Sequence, residues 1–269
     1  MSFKVRITEK LPDNRYVAVD EHGASYTAIL KGNLKKNAIY VGDFALAEKS
    51  YDSYVITKIL ERTNCFVRPP VANIDYMVLC LSINSPKPDL NLLDKQIVLT
   101  KSKSAEPIIL ITKMDLIDEK SKEMYNYIMD TYTKIGIKVI SISAQKESNI
   151  LEKLGFEEGK VYAFSGSSGV GKSTIISKLL NDSTIEVSDV AVKTNRGRHT
   201  TKYVKLYNVG NAFVVDTPGF SSYELLGIEA KSLKDYYPEF IKIKCIYSDC
   251  MHAEEKECNV KEKVSIRSN

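Results

Sequence analysis

Two kinds of hydrophobic spacing divide the chain. Up to about residue 66 the apolar positions come in short runs at 3–10, 15–20, 25–30, 44–49 and 54–61. Turn residues separate them: Pro12-Asp13-Asn14, Glu21-His22-Gly23, Lys31-Gly32-Asn33 and Val41-Gly42-Asp43. Short apolar runs bounded in this way predict strands. Five of them in so short a stretch predict a small all-β barrel, with the OB-fold the leading form.

Past Arg68-Pro69-Pro70 the elements lengthen and alternate. The two prolines exclude helix and resist strand pairing, so they mark a boundary. The run from Ile74 to Ile83 is apolar throughout and predicts a buried strand, with Cys80 a core residue. Leu90, Leu93, Ile97 and Thr100 recur at helical spacing over 89–101. Strand 107–111, helix 121–135 and strand 137–142 follow. Strand 161–164 then precedes a helical segment over 175–180, and 203–207 with 212–215 predict a hairpin across Asn208-Val209-Gly210-Asn211. Strand–helix alternation of this kind predicts a parallel sheet with helices on both faces.

Composition sets outer limits. At 269 residues the chain can hold two or three small domains. It has no apolar run of about eighteen residues, so no membrane span is expected. Met1-Ser2-Phe3-Lys4-Val5-Arg6 lacks the apolar core of a secretory signal. Five cysteines, mostly near the C-terminus, do not form a disulfide framework, and a reducing, cytoplasmic location is expected. The net charge of +4 is compatible with a nucleic-acid partner without requiring one. In the barrel Arg6, Arg15, Lys31, Lys35 and Lys36 form either a basic binding face or an ordinary solvated surface.

The chemistry centres on Gly166-Ser167-Ser168-Gly169-Val170-Gly171-Lys172-Ser173-Thr174, set between a predicted strand and a predicted helix. Glycines let a backbone wrap a phosphate with its N–H groups pointing inward, and the helix N-terminus adds a favourable dipole. Lys172 is expected on the β- and γ-phosphates and Ser173 on Mg²⁺. Asp216-Thr217-Pro218-Gly219 closes an apolar strand, as a DxxG element does. Asp216 is then a Mg²⁺ neighbour, and the Gly219 N–H faces the γ-phosphate.

Thr112-Lys113-Met114-Asp115 follows strand 107–111 and matches the [NT]KxD element that reads guanine. An aspartate accepts from guanine N1–H and the exocyclic amine, whereas adenine offers neither donor. Ser143-Ala144 fits the short element that meets guanine O6. An ordinary GTPase carries these motifs in the order phosphate loop, switch, DxxG, TKxD, SA. Here TKMD and SA come first, so the set is complete but circularly permuted, which a fold tolerates when its ends lie close together.

The stretch 192–205 is basic, with Lys193, Arg196, Arg198, Lys202 and Lys205 and no acid, and it occupies the place of a switch. Thr200 or Thr201 is expected to ligate Mg²⁺ in the GTP state. His199 beside them either orients the attacking water or contacts phosphate or RNA. Phe220 stands where many GTPases place the glutamine that positions water, so slow intrinsic hydrolysis is expected. Cys245, Cys250, His252 and Cys258 make a C-x4-C-x-H-x5-C set, a full tetrahedral complement for structural Zn²⁺ in a segment with little apolar core of its own. Free or redox-active cysteines are the alternative.

Together these residues resemble the RsgA (YjeQ) family of circularly permuted GTPases. The likeness rests on the barrel, the linker from Arg68 to Asp75, the permuted motif order, Gly197-Arg198-His199-Thr200-Thr201, DTPG and the cysteine–histidine set. It departs from the family pattern at Thr112, where asparagine is usual, and at Asn269, where family members continue into a helix. The resemblance implies an α/β P-loop GTPase core with an N-terminal OB-fold barrel and a small C-terminal zinc-binding domain. The expected boundaries are 1–66, 67–228 and 229–269. It implies a monomer that binds GTP and GDP with Mg²⁺ and one Zn²⁺. It also implies action on the 30S ribosomal subunit and its rRNA in late maturation, with hydrolysis stimulated by that subunit, His199 assisting, and neither membrane nor DNA as partner. Two other readings share part of the pattern: an ATP-using P-loop enzyme such as a kinase, against which Thr112-Lys113-Met114-Asp115 argues, and a non-catalytic RNA-binding module that uses GTP only as a structural ligand, with which Phe220 is compatible.

Overall fold

The period-two pattern of the first sixty residues closes on itself. In the computed structural model, which describes residues 2–32, 34, 38–51, 53–67, 69–182, 204–216, 228–241 and 243–267, five strands form the N-terminal unit. They are β1 (Ser2–Lys10), β2 (Arg15–Asp20), β3 (Ser25–Leu30), β4 (Phe44–Ser50) and β5 (Ser53–Ile59). β1 pairs antiparallel with β2 and β2 with β3; β3 runs parallel to β5, β5 antiparallel to β4, and β4 returns to β1. The result is a closed barrel of the five-stranded Greek-key type to which the OB-fold belongs. Val5, Ile7, Tyr16, Ala18, Ala28, Leu30 and Ile56 fill it.

The expectation that the prolines resist pairing is corrected. β6 (Cys65–Val67) and β7 (Pro70–Ala72) form a two-stranded antiparallel sheet with Val67 opposite Pro70. A proline is tolerated there because an edge strand leaves one row of N–H positions unpaired. Gly42 shows how closely this hairpin meets the barrel: it has φ +94°, and a Cβ on it would lie 2.1 Å from the Ala72 carbonyl oxygen. Buried Asp43 accepts from Arg62 Nε (2.6 Å) and Nη2 (2.8 Å), a two-point ion pair across the same junction.

The core alternates as expected: β8 (Tyr76–Ser82), α1 (Leu90–Ser102), β9 (Glu106–Thr112), α2 (Glu119–Lys134), β10 (Lys138–Ser141), α3 (Ile150–Leu154), β11 (Val161–Gly166) and α4 (Lys172–Asp182). β12 (Lys205–Val209) and β13 (Ala212–Asp216) form the predicted hairpin, but its turn is only Gly210-Asn211, with Gly210 at φ +61°. β10, β9, β8, β11 and β13 run parallel in that spatial order. Leu79, Ile109 and Ile111 face Ile97 and Ile128 on one side of the sheet; Val78, Leu110 and Phe164 face Ile175 and Leu179 on the other. Both faces are therefore buried, which accounts for the unbroken apolar runs.

β12 is the antiparallel edge of this sheet, and it meets the barrel. β1 pairs with it at Glu9 and Lys205, whose side chains also form a 2.6 Å ion pair. The sheet thus continues through eleven strands into the barrel. Arg6 lies at this joint, its guanidinium 4.4 Å from the Phe44 ring centroid and 4.6 Å from that of Phe213, so it belongs to the junction and not to a basic barrel face. Lys35 and Lys36 lie outside the described residues. After β13 the described chain resumes with a 3₁₀ helix (Ala230–Tyr236), α5 (Pro238–Ile241) and α6 (Asn259–Arg267).

Candidate functional site

Parallel strands bring their C-terminal ends to one edge, and the loops that leave that edge form a crevice there. The motifs distant in sequence meet at it. The phosphate loop leaves β11, Thr112-Lys113-Met114-Asp115 leaves β9, and Ser143-Ala144 follows β10. β13 ends at Asp216, in register with Phe164 of β11, two residues before Gly166. Chain order does not matter to this convergence, because each loop is placed by its own strand.

Gly166 to Gly169 and Gly171 to Thr174, with Lys113, wall a cavity of about 530 Å³. Gly166 is required at the root of the loop: φ is +154°, and a Cβ would stand 2.4 Å from the Cys80 carbonyl oxygen of β8. Gly169 (φ +82°) and Gly171 (φ +95°) let the backbone turn back toward α4, which opens at Lys172, Ser173 and Thr174. Val170 is buried beneath the turn and anchors it to the core.

Thr112 does more than replace an asparagine. Its hydroxyl lies 3.0 Å from the Leu81 carbonyl and 2.5 Å from the Val170 carbonyl, tying β8, β9 and the phosphate loop together at one buried point. Lys113 adopts a left-handed conformation (φ 55°), and its Nζ donates to the Ser85 carbonyl (2.8 Å). Its stem runs past Gly171, where a Cβ would sit 3.8 Å from Cε. Met114 N–H donates to the Ile142 carbonyl (3.3 Å), drawing this turn onto the end of β10. Asp115 then receives the Ser143 hydroxyl at 2.5 Å on Oδ1. That hydrogen bond holds the Asp115 carboxyl below its ordinary range, and the charges of Lys146 and Lys113 add to the effect. The phosphate loop and Lys172 thus line the cavity, and the Asp115 carboxylate, held ionised by Ser143, lies two residues along the chain from the Lys113 that also lines it, an arrangement complementary to a phosphate chain and a base with two adjacent donors.

His199, Thr200, Thr201 and Gly219 lie outside the described residues, as do Thr217, Pro218 and Phe220.

A second cluster sits in the C-terminal segment. His252 Nδ1 lies 3.5 Å from Cys245 Sγ, 3.4 Å from Cys250 Sγ and 3.4 Å from Cys258 Sγ, and all four donor atoms fall within 4.8 Å of one another. Zinc bonds of about 2.3 Å to sulfur and about 2.0 Å to nitrogen give tetrahedral edges of about 3.5–3.8 Å, so the donor set fits a tetrahedral ion. The left-handed His252 backbone (φ 64°) turns its ring inward, and Phe240 packs edge-on at 5.3 Å. Lys234 Nζ donates to the Ser248 and Cys250 carbonyls (3.1 and 2.9 Å), fixing the loop that carries the second thiol.

A family model described as RsgA GTPase matches residues 59–226. The small ribosomal subunit biogenesis GTPase RsgA of Leuconostoc citreum is 37% identical over 231 residues, 84% of this chain and 76% of that protein. The chain belongs to the RsgA GTPase family. YjeQ from Thermotoga maritima superposes with a TM-score of 0.84 at 30% identity, covering 100% of this chain and 93% of that one. YloQ, a circularly permuted GTPase, superposes with a TM-score of 0.83 at 28% identity, covering 100% and 90%. The permuted core, the N-terminal barrel and the Cys₃His cluster are thus the architecture of an RsgA protein.

Within this RsgA core the sequence pattern did not single out Glu147, whose Oε1 accepts the Ser143 backbone N–H (3.2 Å). A glutamate in the polar run Gln145-Lys146-Glu147-Ser148 has no periodicity or motif to mark it, and only the fold of the loop brings it back to Ser143. The same applies to Lys178, whose Nζ donates to the Glu147 carbonyl (3.2 Å) from α4.

Proposed function

We propose that this chain is a GTPase that binds the 30S ribosomal subunit, contacts its rRNA and assists its late maturation, with hydrolysis to GDP and phosphate stimulated by the subunit. The observation that carries the reading is the convergence of the phosphate loop with Asp115 at one sheet edge, the carboxylate ionised and oriented by Ser143. The name borne by the relatives, small ribosomal subunit biogenesis GTPase, supplies the subunit as the partner.

In this reading Gly166 to Thr174 cradle the phosphates, and Lys172 neutralises charge that moves toward the β–γ bridge as the terminal phosphoryl leaves. Asp115 accepts from guanine N1–H and the exocyclic amine, Lys113 packs along the base, and the Ser143-Ala144 loop meets O6. Ser173 and Asp216 would hold Mg²⁺, with Thr200 or Thr201 joining them in the GTP state, and the ion would supply charge neutralisation to the phosphates. His199 assists water attack, and Gly219 responds to the γ-phosphate. Cys245, Cys250, His252 and Cys258 hold a structural Zn²⁺, since four protein donors leave no open position for catalysis. The working units are 1–66, 67–228 and 229–269, in a cytoplasmic monomer. Among the described residues no helix is long and apolar enough to cross a membrane.

The deciding experiment is steady-state turnover with and without small ribosomal subunits, with ATP as control. A rise with subunits of roughly 10³-fold, the scale of partner-activated GTPases, is expected for GTP and not ATP. Flat turnover with retained GTP binding would make the chain a nucleotide-gated binding protein instead.

A further inference from the structure

Glu147 closes the short loop that begins at Ser143, and it grips that loop from both ends. Its Oε1 accepts the Ser143 N–H (3.2 Å) and pairs with Lys153 Nζ of α3 (2.9 Å). Its own N–H donates to the Ser143 carbonyl (2.9 Å). Its carbonyl accepts from Lys178 Nζ of α4, the helix that opens in the phosphate loop (3.2 Å). Oε2 is buried and has no partner among the described residues.

We propose that Glu147 is a positioning residue for guanine selectivity. By engaging the Ser143 N–H, and with the Lys146 and Glu147 N–H groups turned back on Ser143, it leaves the Ala144 and Gln145 N–H groups as the donors the loop can present, and it holds Ser143 where the hydroxyl reaches Asp115. A backbone donor at that place matches the O6 acceptor of guanine and opposes the amine that adenine carries at the equivalent position. The inference rests on the reading that a guanine base sits against Asp115. Lys178 extends the same clamp to α4, so the base-reading loop and the phosphate-binding helix share one anchor.

The test is calorimetric titration of GDP and ADP into the full chain and its Glu147→Ala, Glu147→Asp and Glu147→Gln variants, with unfolding midpoints measured without nucleotide. Glu147→Ala is expected to weaken GDP about ten-fold, the scale of one lost hydrogen bond, while ADP moves less than about two-fold. Glu147→Asp keeps the charge but falls one methylene short of Ser143, so it behaves like alanine. Glu147→Gln retains an acceptor and returns GDP to within about three-fold of the parent. The unfolding midpoint stays close to the parent in all three. Unchanged GDP affinity in Glu147→Asp, or an equal fall for GDP and ADP, overturns the proposal. A parent chain that does not prefer GDP to ADP removes the base-reading assignment of Asp115 itself, whatever the variants do.

Discussion

Arg6 of the barrel stacks on Phe213 of the core hairpin, its guanidinium carbon 4.6 Å from the ring centroid. Phe213 lies on β13, the strand that ends at Asp216, so the barrel touches the element leading into the DxxG segment. Burial pushes the guanidinium pKa down and the charge of Asp75 opposes it, while Nη1 is buried with no partner among the described residues. Arg6 thus meets the joint through ring faces, beside the Glu9–Lys205 ion pair. Arg6→Ala removes two cation–π contacts and is expected to cost about 1–2 kcal/mol. Urea unfolding measures it, and a cost near zero would show that the β1–β12 pairing alone carries the junction.

Gly166 is a steric requirement. Gly166→Ala places a methyl group 2.4 Å from a backbone oxygen of β8 at a positive φ, and neither strand can withdraw without breaking the parallel pairing. A loss of about 1–3 kcal/mol in stability is expected. GTP affinity should fall by more than ten-fold, because the loop would start from a displaced root. Stability and nucleotide titrations on the same preparation separate the two effects; a variant with parental affinity would show that the loop re-forms independently of β11.

The pH dependence of guanine binding follows from Ser143. Its hydroxyl lowers the Asp115 pKa, and the base needs the ionised acid. A depressed pKa keeps the carboxylate charged as pH falls, so GDP affinity should hold through the ordinary aspartate range and decline only below it. Ser143→Ala releases the carboxylate, and the decline then begins at higher pH. Fluorescence titrations of GDP across acid pH test this, and coincident profiles would remove Ser143 from the account.

Metal removal should act locally. Chelation is expected to loosen the segment 245–267, including α6, because Cys250, Cys258 and Val260 are its chief buried residues. Alkylation reads this out residue by residue. The three cluster thiols become reactive after chelation, whereas Cys80 stays protected, since burial pushes its pKa up to about 12. Cluster thiols that react equally fast before chelation would argue against a bound metal.

Legibility from sequence followed the length scale of each feature. The strand–loop–helix setting of the phosphate loop and the strand-end position of TKMD are legible because phosphate and guanine binding impose residue types at fixed spacing over a few positions. Strands 15–20 and 25–30 were readable to the residue, since a closed barrel enforces strict alternation. The β6–β7 pairing was not, because Pro70 lies on an edge position that a local rule about prolines does not distinguish. α3 was missed at five residues, too short to establish a period. The role of Arg6 was hidden for a different reason: its neighbours Phe44 and Phe213 are distant in sequence, and only tertiary packing turns a basic surface candidate into a joint.

The strand order of the long sheet has one more consequence. A parallel sheet normally ends in two open edges, each a template for unwanted pairing with another chain. Here the β12 side meets the barrel at Glu9 and Lys205, and the barrel closes through β1 and β4, so that edge is capped at its Lys205 end by the protein itself. The other edge is β10, four residues long and beginning with Lys138, short and charged as protective edges are. The barrel thus also caps one end of an α/β core's edge strand against edge-to-edge pairing, and a core cut free of residues 2–59 should lose solubility before it loses its fold.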